Sequence, residues 1–431
     1  MSRTALGILL TLVVCVAEAR AEPPPLSKAV AAHVREIHAG HPDLRDDAFS
    51  KMGGSSVEST AFLHCFATPY VDLGEHGALA ATLDYFHAGP RSSFDRNSKA
   101  AGVSWNLRYV LGGRPANFRE ELGATRAGWA LILFGSNDAQ NENERIYLHR
   151  LVYLVEELEQ MGVVPILGAA TPRRSSSKDR WIQRFNAITE AVAEHWSLPF
   201  IDYYSALSAL PRKGLAGDGV HPNVLSPGGL RTACQLTGKG LRFGNNVRNL
   251  LTLQMLDQLR QIIEAEPDAD ADAGAGTDAG ADAGTDAGAA AGAAPDAGTV
   301  PDAGAVADAA PDPVTAADLP FSVLVDKSSL PTVSSLPPRC GSPISGAGLY
   351  RVRVELLEAA RLRVSALDLD GDKPRVFWVR IGEDGSERCV RRRSQTLEVD
   401  VPPGMWDLLV EARPRAAADG RLLILIAKDP R

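Results

Sequence analysis

Residues 130–138 read Ala-Leu-Ile-Leu-Phe-Gly-Ser-Asn-Asp. The apolar residues 130–134 form an unbroken run that ends at a glycine, which is typical of a parallel strand buried on both faces. Polar residues that directly follow such a strand lie at the carboxyl edge of the sheet, where open parallel sheets bind their ligands. The segment therefore predicts both an α/β fold and the position of its site.

The sequence on either side of this segment alternates between helix-like and strand-like patterns. Two amphipathic helices and two further strands are predicted downstream, over residues 143–161, 163–167, 179–196 and 199–203. Alternation of this kind is typical of βαβ units and a parallel sheet covered on both faces. We therefore predict one α/β domain over residues 22–264.

The chain changes character twice after this domain. Residues 265–318 consist mainly of Asp-Ala-Gly, Thr-Asp-Ala-Gly and Pro-Asp-Ala-Gly units, which cannot bury enough apolar area to offset the entropy of ordering. They predict a disordered linker. Residues 319–431 contain short alternating runs separated by turn residues, which predicts a small all-β sandwich as an accessory domain.

Composition excludes several classes of protein once the charge is divided by region. The chain has 431 residues and a formal charge of −8, from 45 Lys and Arg against 53 Asp and Glu. Residues 264–318 hold 13 of the acids and no base, so the remainder has 40 acids against 45 bases. With 45% hydrophobic residues and no membrane-length apolar run past residue 20, the chain is predicted to be globular, without a transmembrane span and without a nucleic-acid partner.

The first 21 residues resemble an export signal. Arg3 precedes an apolar run, and Ala19-Arg20-Ala21 supplies the small residues that signal peptidase reads, so cleavage is expected before Glu22. A lipid anchor at Cys15 is the less favoured interpretation, because Val14 stands where a lipobox has a small residue. The protein is thus expected to be periplasmic, at the cell surface or secreted.

Four cysteines remain after the signal is removed, and an even number in an exported chain indicates disulfides. Three pairings are formally available. The economical one, with one disulfide in each domain, joins Cys65 to Cys234 and Cys340 to Cys389. A zinc site is not expected, because the sequence has no CxxC pair or Cys/His cluster.

Residues 51–59, Lys-Met-Gly-Gly-Ser-Ser-Val-Glu-Ser, form a glycine-rich turn that opens into a predicted helix. Ser55 at such a turn is exposed, and nearby backbone N–H groups can face a developing negative charge. Taken alone, the segment is also explained as an ordinary turn.

The strand at 130–134 is followed by Gly135-Ser136-Asn137-Asp138. The Asn137 amide can donate a hydrogen bond to an oxyanion at this edge of the sheet. The alternative is an ordinary helix N-cap.

Residues 218–223 read Asp-Gly-Val-His-Pro-Asn. This spacing lets Asp218 reach one imidazole nitrogen of His221 and leaves the other nitrogen for a nucleophile, as a general base requires. The alternative is an Asp-Gly turn followed by a surface histidine.

In this order on a βαβ chain, the three segments resemble the SGNH, or GDSL, hydrolase family over residues 45–255. The resemblance implies a flavodoxin-like three-layer α/β/α fold, ester-cleaving activity and no cofactor or metal. It assigns Ser55 as nucleophile, His221 as general base, Asp218 as its partner and Gly135 as a supporting residue. The oxyanion hole would combine the N–H groups of Ser55 and a glycine with the Asn137 amide.

The chain departs from the family pattern at two places. Gly54 replaces the aspartate that usually precedes the nucleophile, which removes a side chain that helps to set the turn. The second family block is not distinct, so Gly102 is the candidate oxyanion glycine, with Gly112 or Gly113 as alternatives. The adjacent Ser56 leaves open which of the two serines is the nucleophile.

Residues 319–431 loosely resemble the pre-peptidase C-terminal modules of secreted bacterial enzymes, with strands and a late Pro-Pro-Gly-Met-Trp turn. Such a module would serve secretion or association with a surface or substrate, for example a cell-surface polysaccharide.

The favoured hypothesis is an exported serine esterase that acts on a glycan acyl ester, a lipid or a small acyl ester. We expect its pocket loops over residues 68–100 and 105–125. The main alternative is a catalytically degenerate SGNH-fold binding protein tethered by its sandwich. A third is a surface adhesion protein whose work is done by the sandwich.

Overall fold

The computed structural model describes most of the chain and divides it into two compact units near residue 260. The described residues are 23–87, 92–141, 143–226, 229–265, 313–315, 319–327, 330, 332, 335–337, 339–344, 347–369, 374–382, 386–394, 396–413 and 421–428. The predicted signal peptide and all but a few residues of the predicted linker lie outside them. Within these residues, no helix is both long and apolar enough to cross a membrane.

The first unit contains one parallel sheet of four strands, in the order β1-β2-β3-β4. The strands are Arg45–Gly53, Ala127–Leu133, Val164–Gly168 and Phe200–Ile201. All seven residues of β2 are buried, so both faces of the sheet are covered at its centre. The predicted α/β fold class is confirmed, and the continuous apolar run at 130–134 forms the central part of β2.

Nine α-helices are described in this unit. Helices α1 to α5 are Lys28–Gly40, Ser55–Glu58, Ala80–Phe86, Leu107–Val110 and Asn117–Thr125; α6 to α9 are Glu144–Gln160, Ser176–His195, Tyr203–Ser208 and Gly244–Glu264.

Helix α6 shows how local sequence sets the ends of an element. The Asn143 side chain accepts a hydrogen bond from the N–H of Ile146 at 3.0 Å and caps the first turn. At the other end, Gly162 has φ +73° and the N–H of Val163 donates to the carbonyl of Leu158 at 2.9 Å. This αL residue and six-residue hydrogen bond form a Schellman motif, which stops the helix and turns the chain into β3.

The second unit is a β-sandwich of two sheets, as predicted. One sheet has the order β10-β9-β12-β7-β5 and the other the order β11-β8-β13-β6. Strands β5 to β9 are Val314–Thr315, Phe321–Asp326, Gly348–Leu356, Ala360–Asp368 and Arg375–Ile381; β10 to β13 are Glu387–Ser394, Thr396–Val401, Gly404–Ala412 and Arg421–Lys428. Alternate residues of the strands fill the core, among them Trp378 and Trp406, which are 0% and 3% exposed. Burial of this apolar set is the main stabilising term of the unit.

Each unit holds one disulfide. Cys65 pairs with Cys234 at a Cα–Cα distance of 5.5 Å, and Cys340 pairs with Cys389 at 5.2 Å. Both pairs are those that the sequence interpretation favoured.

Candidate active site

Ser55 lies at the first position of α2, directly after β1. Gly53 ends the strand, and Gly54 caps the helix by accepting a hydrogen bond from the N–H of Val57 at 2.9 Å. A Cβ on Gly53 would lie 2.3 Å from the Val57 side chain and 2.9 Å from the Leu133 carbonyl. Only glycine allows so sharp a strand-to-helix turn beside β2, and this turn places Ser55 at the carboxyl edge of the sheet.

Asp218 and His221 lie on a tight loop closed by a bridge between Leu215 and Pro222. Gly219 within it has φ +71°, a conformation that favours glycine. One oxygen of Asp218 accepts hydrogen bonds from the N–H groups of Val220 and His221, at 2.9 and 3.0 Å. The three-residue spacing therefore fixes the carboxylate by its own backbone before it reaches the imidazole ring.

The structure joins the three predicted catalytic residues in one hydrogen-bond chain. His221 Nδ1 lies 2.6 Å from Asp218 Oδ2, and His221 Nε2 lies 2.8 Å from Ser55 Oγ. Because an ionised carboxylate only accepts hydrogen bonds, Nδ1 carries the proton of the neutral ring and Nε2 accepts from the Ser55 hydroxyl. Ser56, the alternative nucleophile, is not part of this chain of contacts.

Asp218 stays ionised across the neutral range. Desolvation raises its pKa, but the hydrogen bonds from the His221 ring and from two backbone N–H groups outweigh this and lower the pKa to about 2. A permanent carboxylate at Nδ1 keeps the imidazole in one tautomer and stabilises its protonated form.

Asn137 and Asp138 tie the end of β2 to the segment before α4. The Asn137 Nδ2 atom donates to the Trp105 carbonyl at 2.8 Å. An amide has two N–H bonds, so the second can donate elsewhere. Asp138 accepts from the N–H groups of Leu107 and Gly135 at 3.1 and 3.2 Å, and burial raises its pKa. Gly135 supports the site through this bond, and its φ of +102° makes the turn after the strand.

The N–H of Gly102, which we expected in the oxyanion hole, is used in a backbone hydrogen bond. Its N–H donates to the Gly53 carbonyl at 3.1 Å, and the N–H of Gly53 donates to Ala100 at 3.2 Å. Residues 100–102 thus pair with the edge of β1 opposite to β2, and the Gly102 N–H is used in this pairing. Of the alternatives, Gly112 donates its N–H to Tyr109 at 3.0 Å, and Gly113 bridges to Ala116.

Two arginines that follow β3 were not singled out from the sequence. Arg173, 7% exposed, donates to the side chain of Ser136 at 2.6 Å and to the carbonyl of Val220 at 3.2 Å. Arg174 donates to the carbonyls of Ala216 and Gly217, at 2.7 and 2.8 Å. Together they join the loop after β2 to the Asp218–His221 loop. The rule that led to Asn137, polar residues at the carboxyl end of a parallel strand, applies equally here.

Arg248 of α9 lies behind the turn that carries Ser55. It donates to the Ser56 carbonyl at 3.2 Å, and its guanidinium carbon lies 4.2 Å from the centre of the Phe62 ring. The residue is 1% exposed, and burial lowers its pKa to about 10. The guanidinium group therefore places a buried positive charge against the backbone of this turn.

The hydrogen-bonded residues Ser55, His221 and Asp218 line a cavity of about 790 Å³. Its apolar lining includes Leu133, Phe134 and Ile182. Of the described residues in 68–100 and 105–125, only Trp105 lines this cavity. The prediction that these two segments form the pocket loops is therefore largely wrong. Residues 103–105 and 171–178 form much of the wall instead, because the strand ends bring them to the same edge. Among the described residues, no group of three His, Cys, Asp or Glu side chains is placed to hold a metal ion.

The chain is similar to proteins of known structure at low sequence identity. A GDSL-like lipase from Bacteroides thetaiotaomicron is 18% identical, with 53% of this chain and 98% of that chain covered and a TM-score of 0.34. An acetylxylan esterase from Geobacillus stearothermophilus is 18% identical, with 48% and 93% covered and a TM-score of 0.33. A putative acylhydrolase from Bacteroides fragilis is 20% identical, with 54% and 98% covered and a TM-score of 0.32. No curated protein matches the chain.

The family assignment comes from the sequence. Residues 70–225 match the model of the GDSL-like lipase/acylhydrolase family, a range that includes Asn137, Asp218 and His221 and begins after Ser55. Residues 70–225 are therefore similar to the GDSL-like lipase/acylhydrolase family, and this match supports a serine hydrolase that acts on ester bonds.

Proposed function

We propose that Ser55, His221 and Asp218 are the catalytic triad of an exported serine esterase. Its substrate is a carboxylic ester on a glycan, a lipid or a small acyl compound. The observation that carries the proposal is the continuous hydrogen-bond chain from Ser55 Oγ through His221 to Asp218, at 2.8 and 2.6 Å. This chain opens on the cavity, where an ester can reach the serine.

The reaction follows from the positions of the protons. Ser55 Oγ attacks the ester carbonyl carbon while its proton passes to His221 Nε2. The tetrahedral intermediate breaks its bond to the alcohol oxygen, which takes the proton from His221 and leaves. A water molecule then gives a proton to His221 and attacks the acyl-enzyme, which releases the carboxylic acid and restores Ser55.

The negative oxygen of each tetrahedral intermediate needs hydrogen-bond donors. The N–H of Ser55 begins α2, and helices leave their first N–H groups without partners inside the helix. The Asn137 amide supplies a second donor through the N–H bond that does not point to Trp105. We assign the oxyanion hole to these two groups. Gly102 is omitted because its N–H pairs with the Gly53 carbonyl.

The main alternative is a catalytically degenerate binding protein. It is favoured by Gly54, which stands where the family usually has an aspartate before the nucleophile. The intact hydrogen bonds of Ser55, Asp218 and His221 support the enzyme instead, since binding alone needs no aligned proton path.

Export is supported by the two disulfides, which persist in oxidising compartments. We further propose that the sandwich associates with cell-surface polysaccharide. Its Trp378 and Trp406 are buried, so neither supplies an exposed platform for a sugar ring.

A fluorophosphonate probe tests the triad directly, because it reacts only with an activated serine. The protein without residues 1–21 should be labelled, and Ser55→Ala and His221→Ala should not. Ser56→Ala is the matched control, because it removes the neighbouring hydroxyl and should retain labelling. Labelling that is lost only in Ser56→Ala would assign the nucleophile to Ser56, and a folded wild-type protein that is not labelled would refute the enzyme.

A further inference from the structure

The cavity beside Ser55 has an unbalanced charge. Of the described residues that line it, Arg173, Arg174 and Lys178 are cationic, whereas Asp218 is the one carboxylate. Asp218 is hydrogen-bonded to His221 and therefore belongs to the catalytic chain. Apart from Asp218, the described charged side chains of this wall are the three cations, of which Lys178 also has a contact of its own.

The hydrogen bonds of Arg173 and Arg174 do not neutralise the positive charges of their guanidinium groups. Arg173 donates to the Ser136 hydroxyl and to the carbonyls of Ser136 and Val220, and Arg174 donates to two further carbonyls. All of these acceptors are uncharged. The geometry therefore fixes the two guanidinium groups in place and leaves their charges to act on the cavity.

The acidic group nearest in sequence, Asp179, is bonded to the backbone of Arg173 and not to its guanidinium, since one carboxylate oxygen accepts from the Arg173 N–H at 2.6 Å. Asp179 accepts hydrogen bonds from Lys213 at 2.6 Å and from Tyr204 at 2.9 Å, and it is 5% exposed. Burial lowers the pKa of Arg173, which the charges of Asp218 and Asp179 oppose but do not cancel. An anion in the cavity would relieve this cost.

We infer that the substrate of this site is an ester that carries a negatively charged group, a carboxylate or a phosphate, held in the cavity by Arg173, Arg174 and Lys178. The inference rests on the proposed function. A cleft lined with charge of one sign raises the local concentration of ligands of opposite sign and favours their association.

The test compares esters that differ only in charge. The first pair, 4-nitrophenyl hexanoate and mono-4-nitrophenyl adipate, places the carboxylate on the acyl side. The second pair, 4-acetoxybenzamide and 4-acetoxybenzoate, places it on the alcohol side. Each kcat/KM is divided by the rate constant of the same ester with hydroxide, which removes differences in intrinsic reactivity.

We expect the anionic ester of at least one pair to be preferred about tenfold at about 20 mM NaCl, and the preference to fall severalfold at about 500 mM NaCl. The pair that shows the preference identifies the side of the ester that faces the arginines. Arg174→Gln and Lys178→Gln should each lower the anionic-to-neutral ratio. Because both esters are measured on the same variant, a general loss of catalysis cancels from this ratio. Lys28→Gln, which lies outside the cavity, should leave it unchanged.

Two results would overturn the inference while leaving the esterase intact. One is hydrolysis of both pairs without preference for the anion; the other is a preference that Arg174→Gln and Lys178→Gln do not alter. If folded protein cleaves none of the four esters and fluorophosphonate does not label it, the proposed function itself fails and the inference fails with it. Hydrolysis that persists in Ser55→Ala would also place the activity outside this site.

Discussion

Replacing Gly54 by alanine should slow ester hydrolysis although the backbone there suits any residue. Gly54 has φ −89° and ψ −161°, an extended conformation in which a side chain causes no backbone strain. A Cβ would nevertheless lie 3.0 Å from Asn137 Nδ2 and 3.1 Å from the Trp105 carbonyl oxygen. These are the two atoms that a hydrogen bond of 2.8 Å joins, so the methyl group would press on the Asn137 amide.

The size of the effect follows from that contact. Ordinary contacts of a Cβ begin at 3.4 Å, so the amide or the carbonyl must move by a few tenths of an ångström. Removing an oxyanion donor altogether costs about 3–4 kcal/mol of transition-state stabilisation. A displaced donor should lose part of this, about 1–2 kcal/mol, which lowers kcat roughly 5- to 30-fold.

A double-mutant cycle separates this mechanism from a general disturbance. The kcat for a 4-nitrophenyl ester is measured for wild type, Gly54→Ala, Asn137→Ala and the double variant. Because Gly54→Ala acts through Asn137, its effect should nearly vanish in the Asn137→Ala background. Gly123→Ala, at a glycine where an added Cβ would meet no atom within 4 Å, should leave kcat unchanged. Fully additive effects, or an unchanged kcat in Gly54→Ala, would refute the reasoning.

Further predictions concern charge and covalent structure. Asp218→Asn should reduce kcat about 10²- to 10³-fold in steady-state kinetics. The loss should be smaller than at a buried triad, because the Asp218 side chain is 49% exposed and water can replace part of its role. An unchanged kcat would exclude Asp218 from the triad. Burial lowers the pKa of Lys51 to about 7, so between pH 7 and pH 10.5 the unfolded chain holds a proton that the folded protein lacks. This group should therefore raise the free energy of unfolding by up to about 1.4 kcal/mol per pH unit in that interval. Urea titrations at several pH values should show a shallower rise for Lys51→Met than for wild type. Equal dependence of the two proteins on pH would contradict the prediction. Replacing Cys65 and Cys234 together by alanine should lower the free energy of unfolding by about 2–4 kcal/mol, measured by urea titration, and equal stability would show that the disulfide adds none.

Much of the fold can be read from local sequence patterns. An unbroken apolar run such as 130–134 requires burial on both faces. Gly162 ends helix α6 through its own positive φ, which is a local property of the chain. The same holds for part of the site. The family resemblance, and not a predicted strand, placed Ser55 with Asn137; the structure shows that both follow parallel strands whose carboxyl ends lie at one edge. Asp218 reaches His221 through bonds within four residues, which depend on little outside their own loop.

The rest depends on contacts between segments that are far apart in the chain. Gly102 is the candidate oxyanion glycine by sequence, but its N–H donates to the Gly53 carbonyl in the structure. Arg173 and Arg174 were not singled out from the sequence. Their hydrogen bonds to the loops after β2 and before α9 hold them in the wall of the cavity. The sequence by itself determined β2 to β4, helices α6 and α7, and the chemical groups of the site. Only the tertiary structure decided which N–H groups remain for an oxyanion and which charges face the substrate, because both depend on partners that no local pattern specifies.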